Sequence, residues 1–305
     1  MKRTGDGEAV GHDVGDDTPE GVGGPMGEQR VHGAVSDDGT EIVGRVHGRG
    51  PPLVLLHGRL EDGDSCWRAL LPLLTDRFTC FAPSTRGRGL SSDSPDHSPE
   101  RLVEDATAYI DSIGEPVGIV GWSSGAGLAL GALARSTSAS AGAVYEPSVS
   151  EVLGEEEATR LKDAVAGMAR LVEEGRLVEA ARSFVAVVAG DEELAAAAAS
   201  GFDGVWARYV PVALQEFQQT HLATSEVPRP TDPSVLARIR VPALVLYGEH
   251  TPLRALVDGV QHVAEHVPAA QVRRLTGAGH LAPIVQPRAI ANELIPFFSA
   301  APETA

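Results

Sequence analysis

The sequence predicts an α/β fold: a mostly parallel sheet with helices on both faces and an all-helical cap insertion. Short apolar runs alternate with helix-forming stretches over residues 30–147 and again over 239–300, the order that wires a parallel sheet with its covering helices. Between them, over 148–238, the alternation stops and apolar residues recur at helical spacing only. The chain has 305 residues, 43% of them hydrophobic, and a mean hydropathy of −0.04, as a globular protein with a substantial core requires.

Taken in order, Met1 to Gln29 is dense in glycine, holds seven acidic residues against Lys2 and Arg3, and has almost no large apolar side chains. It is expected to be disordered. No apolar segment follows Lys2 and Arg3 as a secretion signal needs, and a cytoplasmic protein is expected; Met26 is an alternative start. Val31 to Val35 and Glu41 to Val46, joined across Asp38-Gly39, read as a hairpin. Further strands are expected at Leu53–Leu56, Phe78–Ala82, Val117–Val120, Ala141–Tyr145, Ala243–Tyr247 and Gln271–Leu275. Helices are expected at Trp67–Leu74, Pro99–Ile113, Ser124–Arg135, Leu253–His266 and Pro287–Phe298.

Within the insertion, Leu161, Ala164, Val165, Met168, Leu171 and Val172 fall on one helical face. Leu177–Val188, Glu192–Ala199 and Gly204–Leu222 continue in helix formers, and Pro228, Pro230 and Pro233 mark the return to the sheet. The net charge of −17 argues against nucleic acid or an anionic membrane as partner, since a polyanion is repelled over most of such a surface. Cys66 and Cys80 form neither a metal motif nor a disulfide framework and read as reduced, buried thiols. No metal and no cofactor is expected. The oligomeric state is not legible.

Three motifs stand at strand ends. Gly121-Trp122-Ser123-Ser124-Gly125 lies where an apolar strand turns into an Ala- and Leu-rich helix. There a serine hydroxyl is lifted out of a tight turn and the helix N-terminus points at developing negative charge. His57-Gly58-Arg59-Leu60 follows the strand Pro52–Leu56, and Gly277-Ala278-Gly279-His280 follows the last strand. In this order, over roughly residues 30–298, they resemble the α/β-hydrolase superfamily.

That resemblance implies Ser123 as nucleophile and His280 as its base, because a serine hydroxyl is a poor nucleophile until a histidine held in one tautomer takes its proton. The backbone amides of Ser124 and Arg59, with Leu60 as a nearby alternative, are the candidate oxyanion donors. His57 is read as bracing that loop. The stretch Ser84 to Ser91 looks like a family turn, Asp-x-Arg-Gly-x-Gly-x-Ser, with Ser84 in place of aspartate. The acid departs from the commonest pattern: three residues after Gly248, where these hydrolases usually carry aspartate, stands Thr251. Glu146, at the end of the preceding strand, is the chosen substitute, as in a minority of the superfamily, and keeps the order serine, acid, histidine; Glu249 and Asp258 are the alternatives.

Trp122, Trp206 and Tyr209, with Phe217, are candidate walls for a small, largely apolar substrate. The expected activity is cleavage of an ester-like bond through an acyl-enzyme. Lactonase, thioesterase, amidase, carbon–carbon hydrolase and acyltransferase chemistry fit the same constellation, and a silent ligand-binding protein is the reading from a different class.

Overall fold

The computed structural model describes residues 30–221, 227–268 and 270–300. The expected disorder of the first 29 residues therefore falls outside the described residues.

Eight strands form one sheet: β1 (Val31–Val35), β2 (Glu41–Gly48), β3 (Pro52–Leu56), β4 (Thr79–Pro83), β5 (Val117–Trp122), β6 (Ala139–Tyr145), β7 (Ala243–Gly248) and β8 (Ala270–Leu275). They lie side by side in the order β1-β2-β4-β3-β5-β6-β7-β8. The first two pairings are antiparallel and the others parallel. Both central strands are buried along their whole length, which is why Pro-Leu-Val-Leu-Leu and Val-Gly-Ile-Val-Gly-Trp show no polar alternation.

The helices before the insertion are α1 (Gly63–Cys66), α2 (Leu71–Leu74), α3 (Pro99–Asp111) and α4 (Ser124–Leu133). The insertion supplies α5 (Glu155–Glu173), α6 (Leu177–Val188), α7 (Asp191–Ala199) and α8 (Phe202–His221). Next along the chain come α9 (Pro233–Leu236), α10 (Arg254–His266), α11 (Ala282–Val285) and α12 (Pro287–Ala300). Apolar residues of α3, α4 and α10 pack into one buried cluster with the sheet. Those of α2 and α12 join a second, in which Leu55 and Trp67 of the core lie with Met168, Val185, Val210 and Phe217 of the insertion. The insertion is thus continuous with the core on that side.

Besides α9 and α11, short helices that the sequence pattern does not predict, one expected element differs. The stretch read as one helix over Trp67–Leu74 is a turn followed by the short helix α2, and the short helix α1 ends just before that turn, at Cys66. Asp62 starts α1 early, its side chain accepting from the Ser65 amide, and Pro72, which has no N–H to give, sits at the start of α2. Trp67 between them is buried, with Nε1 donating to the Leu55 carbonyl at 3.1 Å.

The insertion is also tied to the core by charge. Glu216 of α8 is buried and takes Arg88 on one oxygen and Arg59, at 3.1 Å, on the other. Burial alone would raise this carboxyl, but Arg88, His97 and Arg59 overcome it and hold it at about 2. Removing one partner of such a group leaves two buried guanidinium ions short of their counter-charge, a loss of about 3–5 kcal/mol. Glu216→Gln should therefore lower the unfolding free energy at pH 7 by about that amount in urea titrations. Because the folded-state pKa lies below the unfolded one, the stabilisation is present above the ordinary carboxylate range and is lost as pH falls toward about 2. The difference between the two proteins should shrink accordingly in acid.

Candidate active site

β5 ends at Trp122, and the next residue, Ser123, has φ 57° and ψ −118° before α4 begins. A non-glycine residue held there costs about 1–3 kcal/mol and persists only where its surroundings impose it. They do so here. Ser123 N–H donates to the Tyr145 carbonyl at 3.0 Å and its own carbonyl accepts from Ala126 at 3.1 Å. The flanking glycines are required by close approach: a Cβ on Gly121 would sit 2.4 Å from the Gly125 carbonyl oxygen, and one on Gly125 would sit 2.4 Å and 2.3 Å from those of Leu56 and His57. Ser124 is the first residue of α4, so its amide is among the helix donors without an intrahelical acceptor.

The structure brings Glu146 and His280 together. Glu146 is fully buried, and His280 is 3% exposed. His280 Nδ1 lies 2.7 Å from Glu146 Oε2, so a neutral imidazole that donates here leaves Nε2 as its base. The other carboxylate oxygen accepts from the Gly248 amide at 2.7 Å and from the Thr251 hydroxyl. Thr251, standing where the family usually has the acid, thus holds Glu146 instead. The alternatives lie elsewhere: Glu249 faces out, accepting from the Gly277 amide at 2.9 Å, and Asp258 pairs with Arg254 at 2.7 Å.

The loop that carries His280 is held from three sides. Trp122 Nε1 donates to the His280 carbonyl at 3.0 Å, and the Tyr145 hydroxyl donates to that of Gly279 at 2.5 Å. From α7 of the insertion, Glu193 accepts the Leu281 amide at 3.2 Å; burial raises the Glu193 carboxyl above its ordinary range. Opposite, His57 accepts the Thr85 amide on Nε2 at 3.0 Å and places Nδ1 at 2.7 Å from the Gly58 carbonyl. Burial first, and Arg88 next, lower its pKa to about 4, so it stays a neutral brace of the Gly58-Arg59 loop.

Ser123, His280, Trp122 and Arg59 share one chamber, whose other walls are largely apolar and include Leu161, Phe184 and Phe217. A neighbouring chamber shares Gly58, Arg59, Ser148 and Ser150 with it and is lined by Arg88, Arg229 and Glu216. Arg59 is not a solvated side chain: its guanidinium bonds Glu216 and stacks 4.3 Å over Phe217. Among the described residues no three of His, Cys, Asp and Glu stand together as a metal ion would need, and no helix is long and apolar enough to cross a membrane.

Two expected wall residues lie elsewhere. Trp206 is fully buried with Nε1 donating to Glu61 Oε1 at 2.7 Å, and Tyr209 donates its hydroxyl to Asp62 and accepts the Gly89 amide at 3.3 Å. Each aromatic seats its one polar atom on the Glu61-Asp62 turn, as buried Trp and Tyr do, and neither lines the chamber with Ser123. Sequence reasoning missed the buried Glu61 and Glu216 and the half-buried Glu193. Only Glu61, two residues after Arg59 in the loop that follows β3, carried a signal that could have marked it.

A model of the alpha/beta hydrolase family matches residues 53–293. A pimeloyl-[acyl-carrier protein] methyl ester esterase from Methylococcus capsulatus is 40% identical over 83 residues, 27% of this chain and 31% of that protein. A pyrrolizixenacetamide deacetylase from Xenorhabdus hominickii is 31% identical over 90 residues, 28% of this chain and 33% of that one. The matches span about a third of the length of either relative. Among solved structures, an alpha/beta hydrolase from Sphaerobacter thermophilus superposes with a TM-score of 0.65 at 28% identity, covering 88% of this chain and 100% of that one. An esterase from a Rhodococcus species gives 0.72 at 24% identity, covering 89% and 99%, which speaks for the fold alone.

The packing at the turn makes a prediction independent of chemistry. Gly125→Ala drives a methyl group into two backbone carbonyls that cannot move without disturbing β3. It should cost about 3 kcal/mol, the upper part of the usual overpacking range, measured by denaturant unfolding.

Proposed function

Since the chain belongs to the alpha/beta hydrolase family and is a hydrolase, we propose that it cleaves an ester-like bond of a small, largely apolar substrate through an acyl-enzyme formed on Ser123. The observation that carries this reading is the 2.7 Å contact between His280 Nδ1 and the buried Glu146, in a chamber that also holds Ser123.

The steps follow from those positions. Ser123 Oγ attacks the carbonyl carbon while its proton passes to His280 Nε2, and the carbonyl π-electrons move onto oxygen. Glu146 compensates the imidazolium that forms, and the amides of Ser124 and Arg59 receive the oxyanion. When the tetrahedral species collapses, the bond to the leaving alkoxide breaks and the imidazolium gives it the proton. Water repeats the sequence and releases the acid. The names of the relatives, an esterase and a deacetylase, support acyl transfer to water. Phe184, Phe217 and Leu161 at the chamber wall favour an apolar substituent on the ester.

Ser123→Ala removes one half-buried hydroxyl and no core volume, so turnover of p-nitrophenyl esters should fall to background with little change in Tm. A fluorophosphonate probe should label the wild-type protein at Ser123 and leave the variant unlabelled. Retained turnover would sink the nucleophile assignment, and a protein that neither labels nor turns over any ester would favour the ligand-binding reading.

Glu146→Gln keeps size but removes the charge opposite the imidazolium. The expected loss in kcat is about 10⁴-fold, as when the acid is neutralised in a serine-protease triad. Adding Thr251→Asp returns a carboxylate from the neighbouring strand and should recover part of that loss; near wild-type turnover in Glu146→Gln alone would exclude Glu146 as the acid.

A further inference from the structure

Among the described residues Glu61 is the one carboxyl on the wall of the Ser123 chamber, and nothing in the triad uses it. It is 4% exposed and follows the Gly58-Arg59 loop in a turn closed by its own amide on the Gly58 carbonyl at 3.4 Å. Its two oxygens have different surroundings. Oε1 accepts the Trp206 indole N–H at 2.7 Å. Oε2 lies against Gly58: a Cβ built there would be 2.7 Å from it, which sets this oxygen beside the α-carbon adjoining the Arg59 amide. The charged and titratable groups about Glu61 are His280 from the loop after β8, Arg88 from the turn after β4, the adjacent Asp62, and Cys66 of α1. Arg88 is itself spent on Glu216, and no salt bridge to Glu61 occurs among the described residues.

We propose that Glu61 is a further catalytic residue: with Oε1 occupied by the Trp206 indole, the proton of its neutral acid sits on Oε2 and is donated as a hydrogen bond to the substrate oxygen that becomes the oxyanion. The proposal rests on the acyl-enzyme reading. No proton is transferred; the acid stays whole while charge develops beside it. A carboxylic acid kept neutral to donate at an oxyanion is an established physical device, and it needs an apolar site to hold the proton. The site here meets that need, since burial outweighs the Trp206 bond and raises the Glu61 carboxyl to about 7. Above that pH the group ionises, loses its donor, and places negative charge where negative charge must form.

The sign of the pH effect follows. Activity falls as Glu61 loses its proton, with the alkaline limb centred at about 7. Three proteins test this: wild type, E61Q and E61L, each assayed for kcat against pH with a p-nitrophenyl ester and for fluorophosphonate labelling of Ser123. E61Q can still accept the Trp206 indole on its oxygen and donate from its amide, but cannot ionise. It should keep kcat within a few-fold of wild type at pH 6.5 and lose the alkaline limb. E61L has no donor and should lose about 10²-fold in kcat, the effect of deleting one oxyanion donor, while still labelling at Ser123.

An alkaline limb that survives in E61Q, an E61L enzyme as fast as wild type, or an E61Q enzyme as slow as E61L at every pH would each overturn the assignment while leaving Ser123 as nucleophile. A wild-type protein that does not label at Ser123 would instead sink the acyl-enzyme reading and this proposal with it.

Discussion

The hydrogen bonds converging on the buried Glu146 carboxylate are the constraint on which the site depends. A fully desolvated carboxylate is costly unless its lone pairs are filled, and here β7 fills one oxygen through Gly248 and Thr251 while the loop after β8 fills the other through His280. One side chain therefore fixes the relative positions of three successive parallel strand ends. It also explains Thr251: a second carboxylate there would face Glu146 across a hydrogen-bond distance, and a hydroxyl donor is what that contact requires.

Register does the rest of the positioning. In the β5–β6 ladder Trp122 is opposite Tyr145, so the residues that follow, Ser123 and Glu146, leave the sheet at the same level. Both have positive φ, 57° and 46°, and both are held there by backbone bonds to the next strand over, Ser123 to Tyr145 and Glu146 to Leu246 at 3.0 Å each. The strain at the two residues is imposed by the stiffest part of the molecule, the buried centre of the sheet.

The insertion contributes polar groups as much as apolar walls. Glu216, Glu193 and Trp206 reach from its helices to the Gly58-Arg59 loop, the His280 loop and Glu61. Two of the buried carboxyls diverge for a clear reason. Glu216 has two guanidinium partners and is pushed down to about 2, whereas Glu61 has one neutral indole donor and is pushed up to about 7. Desolvation acts on both, and only a facing opposite charge reverses it.

The sequence by itself determined the strands, the position of the helical insertion and the three motifs at strand ends, because those signals are local. A run such as Leu53 to Leu56 records burial on both faces, and the glycines around Ser123 record a backbone approach within a few residues. Chain order and the strand end also singled out Glu146, yet left Glu249 and Asp258 open, since both follow the neighbouring strand β7 and keep the same chain order. Only the tertiary structure decided which carboxylate meets His280. It also moved Trp206 and Tyr209 from the chamber to the Glu61-Asp62 turn and brought Glu61, Glu193 and Glu216 into the neighbourhood of the loops they serve. Helical spacing says which residues share a face; what that face meets, as with Trp206 and Glu61 separated by 145 residues, is set by how the insertion docks on the sheet.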